Sequence, residues 1–376
     1  MSPPPSGFWS PGDEPGRRKF VTLTASDGRA FNFEGGGRLD TVTVAYETWG
    51  TLNRSRSNAV LVLHALSGDS HAAGPTLPGH RTPGWWQGVI GPGLAIDTDQ
   101  YFVVCPNVLG ACQGTTGPSS LAPDALAFGS RFPVITIRDQ VGVEVALADY
   151  LEIEVWAGVV GGSMGGMRVL EWAVSYPARV DRAIVLAVGA ASTADQIALS
   201  SLQIRAIKVD PHFDGGNYYD DVPGPLEGMA IARGLGHFSY RTGLEFESRF
   251  GRELQVRSDV VGSGVYAIES YLNYQGAKLG GRFDPNSYIV LSDAMNHHDV
   301  GRARGGIVAT LQGVQVPVTV AGIISDRLYP LELQEQLVDL LPNSSPLEVI
   351  SSNFGHDGFL LEVEQVGKVI ALALRS

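Results

Sequence analysis

The sequence of 376 residues has few cysteines, a shortage of basic residues and no long apolar run. Its two cysteines, Cys105 and Cys112, cannot build a disulfide framework, and no cysteine and histidine stand at zinc-ligand spacing, so we expect no metal. With 27 basic and 39 acidic residues the formal net charge is −12. We do not expect so acidic a protein to bind nucleic acid or an anionic membrane. No apolar run approaches the roughly 18 residues of a membrane helix, and the N-terminus lacks a signal-peptide pattern. We expect a cytoplasmic protein whose partners are small molecules or copies of itself.

The composition is that of a large globular protein. A hydrophobic fraction of 44% with 18% charged residues excludes a disordered chain, and 47 glycines with 22 prolines suit a fold with many tight turns. At about 150 residues per domain, the chain has room for a complete α/β domain and an insertion.

One stretch contains the strongest sequence evidence for a catalytic residue. Residues 161–165 read GGSMG and place Ser163 between two glycines, which is the G-x-S-x-G pattern of a nucleophile elbow. An apolar run precedes it, and apolar residues at helical spacing follow as far as Pro177, so a strand should turn sharply into a helix at Ser163. The partial positive charge of the helix end and the N–H of Met164 would then stabilise an oxyanion beside the serine. A phosphate-binding loop is excluded because no Gly-Lys-Ser/Thr follows.

Strand and helix patterns alternate through most of the chain. Strands are predicted at residues 20–24, 42–46, 59–64, 101–105, 155–160, 183–188, 316–324 and 347–351. Helices are predicted at residues 137–151, 331–341 and 360–374. Between about residues 190 and 306 the alternation stops, and helical stretches at 193–207, 228–235 and 266–275 are separated by polar loops. This region is predicted to be a helical insertion.

The loop of residues 64–71 follows a continuous apolar strand and should lie at the carboxyl edge of the sheet, where open α/β folds bind ligands. The backbone N–H of Leu66 is the candidate for a second oxyanion donor. For His64 and His71 we favour packing or loop hydrogen bonds over a part in the chemistry.

A serine is a weak nucleophile without a base, so an acid and a histidine are sought after later strands. Asp326 directly follows the strand predicted at 316–324, and His356 follows the strand at 347–351. The other histidines precede the serine or belong to the insertion. Asp339 is the rival acid, but it lies within a predicted helix, where we expect it to be exposed to solvent.

Together these features predict an α/β-hydrolase fold with a mostly parallel central sheet flanked by helices and a helical lid insertion. The predicted organisation is a loose N-terminal arm at 1–18, the first part of the core at 19–189, the lid at 190–310 and the C-terminal part of the core at 311–376. Ser163, His356 and Asp326 would form a catalytic triad working through an acyl-enzyme. From the residues alone, water is the default acceptor and a hydrolase the default prediction.

Several longer motifs resemble one family. Residues 161–172 (GGSMGGMRVLEW), 107–120 (NVLGACQGTTGPSS), 271–272 (YL), 325–330 (SDRLYP) and 355–360 (GHDGFL) together resemble the bacterial homoserine O-acetyltransferases, which act in methionine synthesis. The likeness runs from about Val42 to the C-terminus. Ala111 departs from it, because the family usually has a glycine there.

The resemblance implies acetyl-CoA as the acyl donor, with no bound cofactor, L-homoserine as the acceptor, and Leu66 and Met164 as oxyanion donors. It also implies that Arg233 and Asp357 contact homoserine and that a homodimer forms through the helical lid. Ordinary structural roles for Arg233 and Asp357, on a lid surface and in a turn, remain open. A succinyl-CoA donor, a serine acceptor and simple esterase activity also remain open. A catalytically silent binding protein is disfavoured, because all three triad positions are filled.

Overall fold

The computed structural model describes residues 7–219, 224–256, 260 and 262–375. The central sheet is built from β1 (Lys19–Leu23), β2 (Val42–Trp49), β3 (Ala59–Leu63), β4 (Phe102–Pro106), β5 (Gly158–Gly162), β6 (Ala183–Leu186), β7 (Val318–Ile323) and β8 (Glu348–Ile350). Its strand order is β1-β2-β4-β3-β5-β6-β7-β8. The pairs β1–β2 and β2–β4 are antiparallel, and the other neighbours are parallel. All eight strands match predicted ones, and the mostly parallel sheet is confirmed.

The central strands are apolar along their whole length because both faces of the sheet are covered. Every residue of β3, β5 and β6 is buried. Successive side chains of a strand point to opposite faces. Accordingly Leu61 and Val159 belong to one apolar core, and Val60 and Val160 belong to the other.

The helices of the described residues are α1 (Ile137–Tyr150), α2 (Met164–Ser175), α3 (Ala194–Lys208), α4 (Leu226–Tyr240), α5 (Gly243–Phe250), α6 (Ala267–Gly280), α7 (Pro285–Asn296), α8 (Ile307–Gln312), α9 (Leu331–Leu340), α10 (Gly358–Leu361) and α11 (Val363–Arg375). Buried residues of α1, α2 and α9 join the first core, and those of α11 join the second. Helices therefore flank both faces of the sheet.

The neighbouring parallel strands β6 and β7 are joined by a connection that contains α3 to α8. Within it α4 packs against α3 and α6, and α3 also packs against α7. The sequence predicted α3, α4 and α6 but not α5, α7 or α8. Helix α7 was missed because Asp284-Pro285 resembles a turn. In the structure Asp284 caps the helix by accepting from the Ser287 N–H, and Pro285 occupies the first helical position, where its missing N–H costs nothing.

The N-terminal arm differs from the prediction of a loose segment where the structure describes it. The backbone N–H of Trp9 donates to the carbonyl of Cys112 at 2.9 Å, and the Trp9 ring stacks on Phe20 with centroids 4.6 Å apart. The Gln113 side chain also donates to the carbonyl of Gly7 at 2.9 Å. No sequence pattern indicated these contacts, because the partners lie far along the chain and the described part of the segment forms no regular structure of its own.

Candidate active site

Ser163 occupies a sharp turn between β5 and α2. Its backbone has φ 57° and ψ −127°, a left-handed conformation that costs a residue with a side chain on the order of 1–3 kcal/mol. The flanking glycines are required by close packing. A Cβ on Gly165 would lie 2.1 Å from the carbonyl oxygen of Leu63, and one on Gly161 would lie 2.7 Å from the backbone of Gly165. The predicted strand–turn–helix elbow is present.

Backbone hydrogen bonds hold the strained serine in place. The Ser163 N–H donates to the carbonyl of Leu186 at 3.0 Å, and the Ser163 carbonyl accepts from the Met167 N–H at 3.0 Å. The residue is 6% exposed and lines a cavity together with Leu66 and Tyr240. Ser163 therefore borders a cavity and is largely shielded from bulk solvent.

Asp326 and His356 come together after β7 and β8. His356 lies in a 3-10 helix of one turn, Gly355–Asp357, and its Nδ1 donates to Oδ2 of Asp326 at 2.7 Å. The other carboxylate oxygen, Oδ1, accepts from the backbone N–H groups of Leu328 at 2.8 Å and Tyr329 at 2.9 Å. Both side chains are almost fully buried. Asp326 is thus oriented by its own loop and in turn orients the imidazole.

The second imidazole nitrogen of His356, Nε2, is left free for chemistry. It is buried and has no hydrogen-bond partner among the residues that the structure describes. The ring lies against Tyr329, with centroids 5.0 Å apart, and against Phe359 at 5.4 Å. Because Asp326 holds Nδ1 as a donor, Nε2 is the nitrogen able to accept a proton. Asp339, the rival acid in the sequence, is exposed on α9.

One candidate oxyanion donor lines the cavity of Ser163, and the other directly follows the serine in the chain. Leu66 lines the cavity of Ser163, and Met164 is the first residue of α2. A residue at that position has no partner for its N–H within the helix, and the helix dipole adds positive potential there.

The loop that carries Leu66 is fixed by His64 and Arg168. His64 is fully buried, its Nε2 accepts from the Val108 N–H at 3.0 Å and its Nδ1 donates to the carbonyl of Ala65 at 2.8 Å. Burial, helped by the nearby Arg168 charge, lowers the pKa of His64 to about 3 and keeps it neutral. The Arg168 guanidinium binds the His64 carbonyl and pairs with Glu144 at 2.6 Å. His64 therefore makes local packing and loop hydrogen bonds, which is the role favoured in the sequence analysis.

Arg233 lies on α4 beside this loop. Its Nη1 is 3.4 Å from the Ser67 hydroxyl, and its guanidinium carbon lies 5.8 Å from the centre of the Tyr240 ring. Its Nε is buried without a hydrogen-bond partner, and within the described ranges no carboxylate forms an ion pair with it. Arg233 is therefore a cation at the edge of the site without a protein anion beside it.

Asp357 follows His356 and is paired in a way the sequence did not reveal. Its Oδ2 accepts from Nη1 of Arg241 at 3.1 Å, and Arg241 also pairs with Glu245 at 2.9 Å. Arg241 and Asp357 are 116 positions apart, and no motif connects them. The structure thus adds Arg241 to the charged residues around the site.

One described cluster, Glu47, His71 and His80, brings possible metal ligands within 4.8 Å of one another. The two imidazole rings are stacked with centroids 3.8 Å apart and planes 9° apart, so their in-plane lone pairs cannot converge on one ion. His71 is bonded to Glu47 at 2.9 Å, and His80 accepts from the Arg17 N–H at 3.0 Å. The chemistry of this cluster is that of a buried hydrogen-bond network.

A mostly parallel eight-stranded sheet, with a serine at a strand–helix elbow and an Asp–His pair after later strands, defines an α/β-hydrolase-fold protein. Residues 58–363 match the family described as alpha/beta hydrolase fold. Over 368 residues the chain is 55% identical to the homoserine O-acetyltransferase of Thermobifida fusca (strain YX). The aligned region covers 98% of this chain and 96% of that protein. Within the fold, the chain belongs to the family of homoserine O-acetyltransferases.

Solved structures give a similar result for the fold. The homoserine O-acetyltransferase from Bacillus anthracis superposes with a TM-score of 0.86 at 28% identity, covering 96% of this chain and 98% of that one. Esterase E22 also superposes with a TM-score of 0.86 at 28% identity, covering 95% and 99%. The same backbone is thus found in proteins named as transferases and as esterases.

Replacing Asp326 with asparagine should slow acylation of the protein by p-nitrophenyl acetate by roughly a thousandfold or more, because an amide cannot hold the His356 tautomer or stabilise its charged form. The burst of p-nitrophenol measures this step. Asp339→Asn is the matched control and should behave as wild type. Equal effects of the two substitutions would show that Asp326 is not the acid of this site.

Proposed function

We propose that this protein transfers an acetyl group from acetyl-CoA to the hydroxyl of L-homoserine, through an acyl-enzyme on Ser163, as a step of methionine biosynthesis. The observation that carries the proposal is the 55% identity to a homoserine O-acetyltransferase over nearly the whole chain, together with the Asp326–His356 pair and the elbow serine. No cofactor is required, since acetyl-CoA is consumed as a substrate.

In the first half-reaction, Nε2 of His356 accepts the hydroxyl proton of Ser163 while Oγ attacks the thioester carbonyl. The tetrahedral oxyanion accepts hydrogen bonds from the N–H groups of Leu66 and Met164. The carbon–sulfur bond then breaks, His356 gives its proton to the leaving sulfur, and coenzyme A departs. Asp326 stabilises the imidazolium that exists between these two proton transfers.

In the second half-reaction, the homoserine hydroxyl gives its proton to His356 and attacks the acetyl carbonyl of the acyl-enzyme. The same two N–H groups receive the oxyanion, and the proton returns to Oγ of Ser163 as the ester leaves. Because the donor product leaves before the acceptor reacts, the kinetics are ping-pong.

Homoserine is a zwitterion, so its recognition requires a cation for the carboxylate and an anion for the ammonium group. We assign these roles to Arg233 and Asp357. Arg233 has no described carboxylate partner, and its buried Nε is available for hydrogen bonding. Asp357 adjoins the catalytic base, and its pairing with Arg241, itself neutralised by Glu245, fixes the carboxylate in position.

The competing function is that of an esterase, in which water takes the acyl group. The fold does not distinguish the two, because the transferase from Bacillus anthracis and esterase E22 have equal TM-scores. The far higher identity to the Thermobifida fusca transferase favours homoserine as the acceptor, and its name favours acetyl over succinyl and homoserine over serine.

We further propose a cytoplasmic homodimer formed through the helical insertion, with the insertion also covering the site as a lid. Among the described residues, no helix is long and apolar enough to cross a membrane. The insertion exposes many large apolar side chains, among them Ile231, Phe238 and Leu244, which are 58%, 56% and 76% exposed. Ile231 and Phe238 are two turns apart on α4 and share one face. Exposed apolar side chains that share a helix face favour association.

Wild-type protein with acetyl-CoA should release free thiol rapidly when homoserine is present and only slowly without it. Initial rates at several homoserine concentrations should give parallel double-reciprocal lines, because the two substrates react in separate steps. Thiol release that is fast and independent of homoserine would identify an esterase, and intersecting lines would indicate direct transfer in a ternary complex.

Arg233→Ala should raise the KM for homoserine by about ten- to a hundredfold, since a charge-assisted contact contributes roughly 1.5–3 kcal/mol. Rapid-mixing acylation by acetyl-CoA alone should stay near the wild-type rate, because homoserine takes no part in it. The exposed Arg205→Ala on α3 serves as the control. Loss of acylation in Arg233→Ala would instead place this arginine in the donor site.

Phe238→Glu should convert the dimer to a monomer in sedimentation velocity, because it places a charge in the proposed apolar interface. Leu372→Glu, an equally exposed position on α11, should leave the dimer intact. A wild-type protein that sediments as a monomer at micromolar concentration would contradict the dimer.

A further inference from the structure

The peptide group between Ala65 and Leu66 is held from its carbonyl side. The Ala65 carbonyl accepts from Nδ1 of His64 at 2.8 Å and from the Gly68 N–H at 2.9 Å. The Leu66 N–H belongs to the same peptide group, and it has no acceptor among the residues that the structure describes. A trans peptide group is planar, so its carbonyl and its N–H point in opposite directions. The two bonds to the Ala65 carbonyl therefore fix the direction of the Leu66 N–H.

Only one form of the His64 ring can make these contacts. Its Nε2 accepts from the backbone N–H of Val108 at 3.0 Å, so Nε2 must hold a lone pair. In a neutral imidazole the other nitrogen, Nδ1, then carries the proton. The ring is neutral near pH 7 because burial, and secondarily the Arg168 charge, lower its pKa to about 3. Val108 thus selects the tautomer that donates to the Ala65 carbonyl.

The surroundings of His64 keep the ring in one position. Val108 follows β4, and the N–H of the preceding Asn107 donates to the carbonyl of Ala45 on β2 at 2.8 Å. Gly68 packs closely on the histidine, since a Cβ there would lie 2.9 Å from the Cβ of His64 and 3.2 Å from its Nδ1. His64 is fully buried. The hydrogen bond to Ala65 is therefore made by a side chain that has no room to turn away.

The direction of the Leu66 N–H matters for chemistry at Ser163. Leu66 lines the cavity of this serine, and its N–H is a proposed oxyanion donor. Such a donor lowers the barrier only if it is aimed in advance at the position where the negative charge develops. Hydrogen bonds to the carbonyl of a peptide group also polarise the group and strengthen its N–H as a donor.

We propose that His64 is a positioning residue of the acylation step, whose Nδ1–H aims the Leu66 N–H at the oxyanion. His64 acts through the Ala65–Leu66 peptide group and not by contact with a substrate. A packing role would require only the volume of the ring, whereas this role requires a donor at Nδ1. The inference rests on the proposed acylation of Ser163, and it holds whether homoserine or water then takes the acyl group.

Two substitutions separate the functions of the two ring nitrogens. Asparagine places an amide N–H where Nδ1 stands, so His64→Asn keeps the donor to Ala65 and loses the acceptor for Val108. Glutamine reaches the position of Nε2 with its amide, so His64→Gln keeps the acceptor and loses the donor.

Stopped-flow acylation by p-nitrophenyl acetate measures the effect. Removing an oxyanion donor outright costs about a hundred- to a thousandfold in rate, so misdirecting one should slow His64→Gln by roughly ten- to a hundredfold. His64→Asn should remain near the wild-type rate. In both variants the half-saturating ester concentration and the pH midpoint of acylation, which reports on His356, should stay unchanged, because neither depends on the oxyanion.

His298→Asn is the matched control. His298 is buried, and its Nε2 donates to the carbonyl of Gly189 at 3.0 Å, so the substitution also removes a bond between an imidazole and a backbone carbonyl. This variant should acylate at the wild-type rate. A neutron structure of the wild-type protein at pH 7 requires no variant, and it should show a deuterium on Nδ1 of His64 and none on Nε2.

Four outcomes would overturn the assignment. They are a deuterium on Nε2 of His64, a loss of acylation in His64→Asn as large as in His64→Gln, a wild-type rate in His64→Gln, and a shifted pH midpoint, which would mean that His64 acts on the triad. If neither variant folds, the neutron structure decides. A wild-type protein that p-nitrophenyl acetate acylates but that releases no coenzyme A from acetyl-CoA would refute the proposed function alone.

Discussion

The contact between the elbow and β3 is the constraint on which the rest of the site depends. Gly165 lies so close to the carbonyl of Leu63 that no side chain fits between them. This approach brings the first turn of α2 against the loop that leaves β3. Arg168, one turn beyond Ser163, then reaches the carbonyl of His64. As a result, Ser163 and both proposed oxyanion donors lie on backbone segments that pack directly against each other.

Around this rigid centre the structure offers two kinds of surface. Arg233 is a cation without a described counterion, and Asp357, next to His356, is paired with Arg241. Among the described residues, those that line the cavity of Ser163 between α3 and α7 are neutral polar or apolar.

The elements of the fold and of the candidate site that could be predicted from the sequence are those in which a local sequence pattern determines the local structure. The apolar runs identified all eight strands, and the glycines around Ser163 identified the elbow. Asp326 and His356 were found because each follows a strand directly, and the parallel sheet brings those strand ends to one edge. Their contact at 2.7 Å agrees with that reasoning.

The parts that it did not predict depend on contacts between distant segments. Nothing near Asp357 indicates its pairing with Arg241, and nothing in the N-terminal segment indicates that Trp9 stacks on Phe20. Helix α7 was hidden by a different effect, because the Asp-Pro pair that begins it is also a common turn signal.

The proposed function requires that Ser163 carries the acetyl group between donor and acceptor. Intact-protein and peptide mass spectrometry after brief mixing with acetyl-CoA measures this directly. On this proposal we expect one acetyl adduct, located on Ser163, that disappears on addition of homoserine as the acetyl ester of homoserine forms in equal amount. An adduct on another residue, or an adduct on Ser163 that homoserine fails to remove, would contradict it.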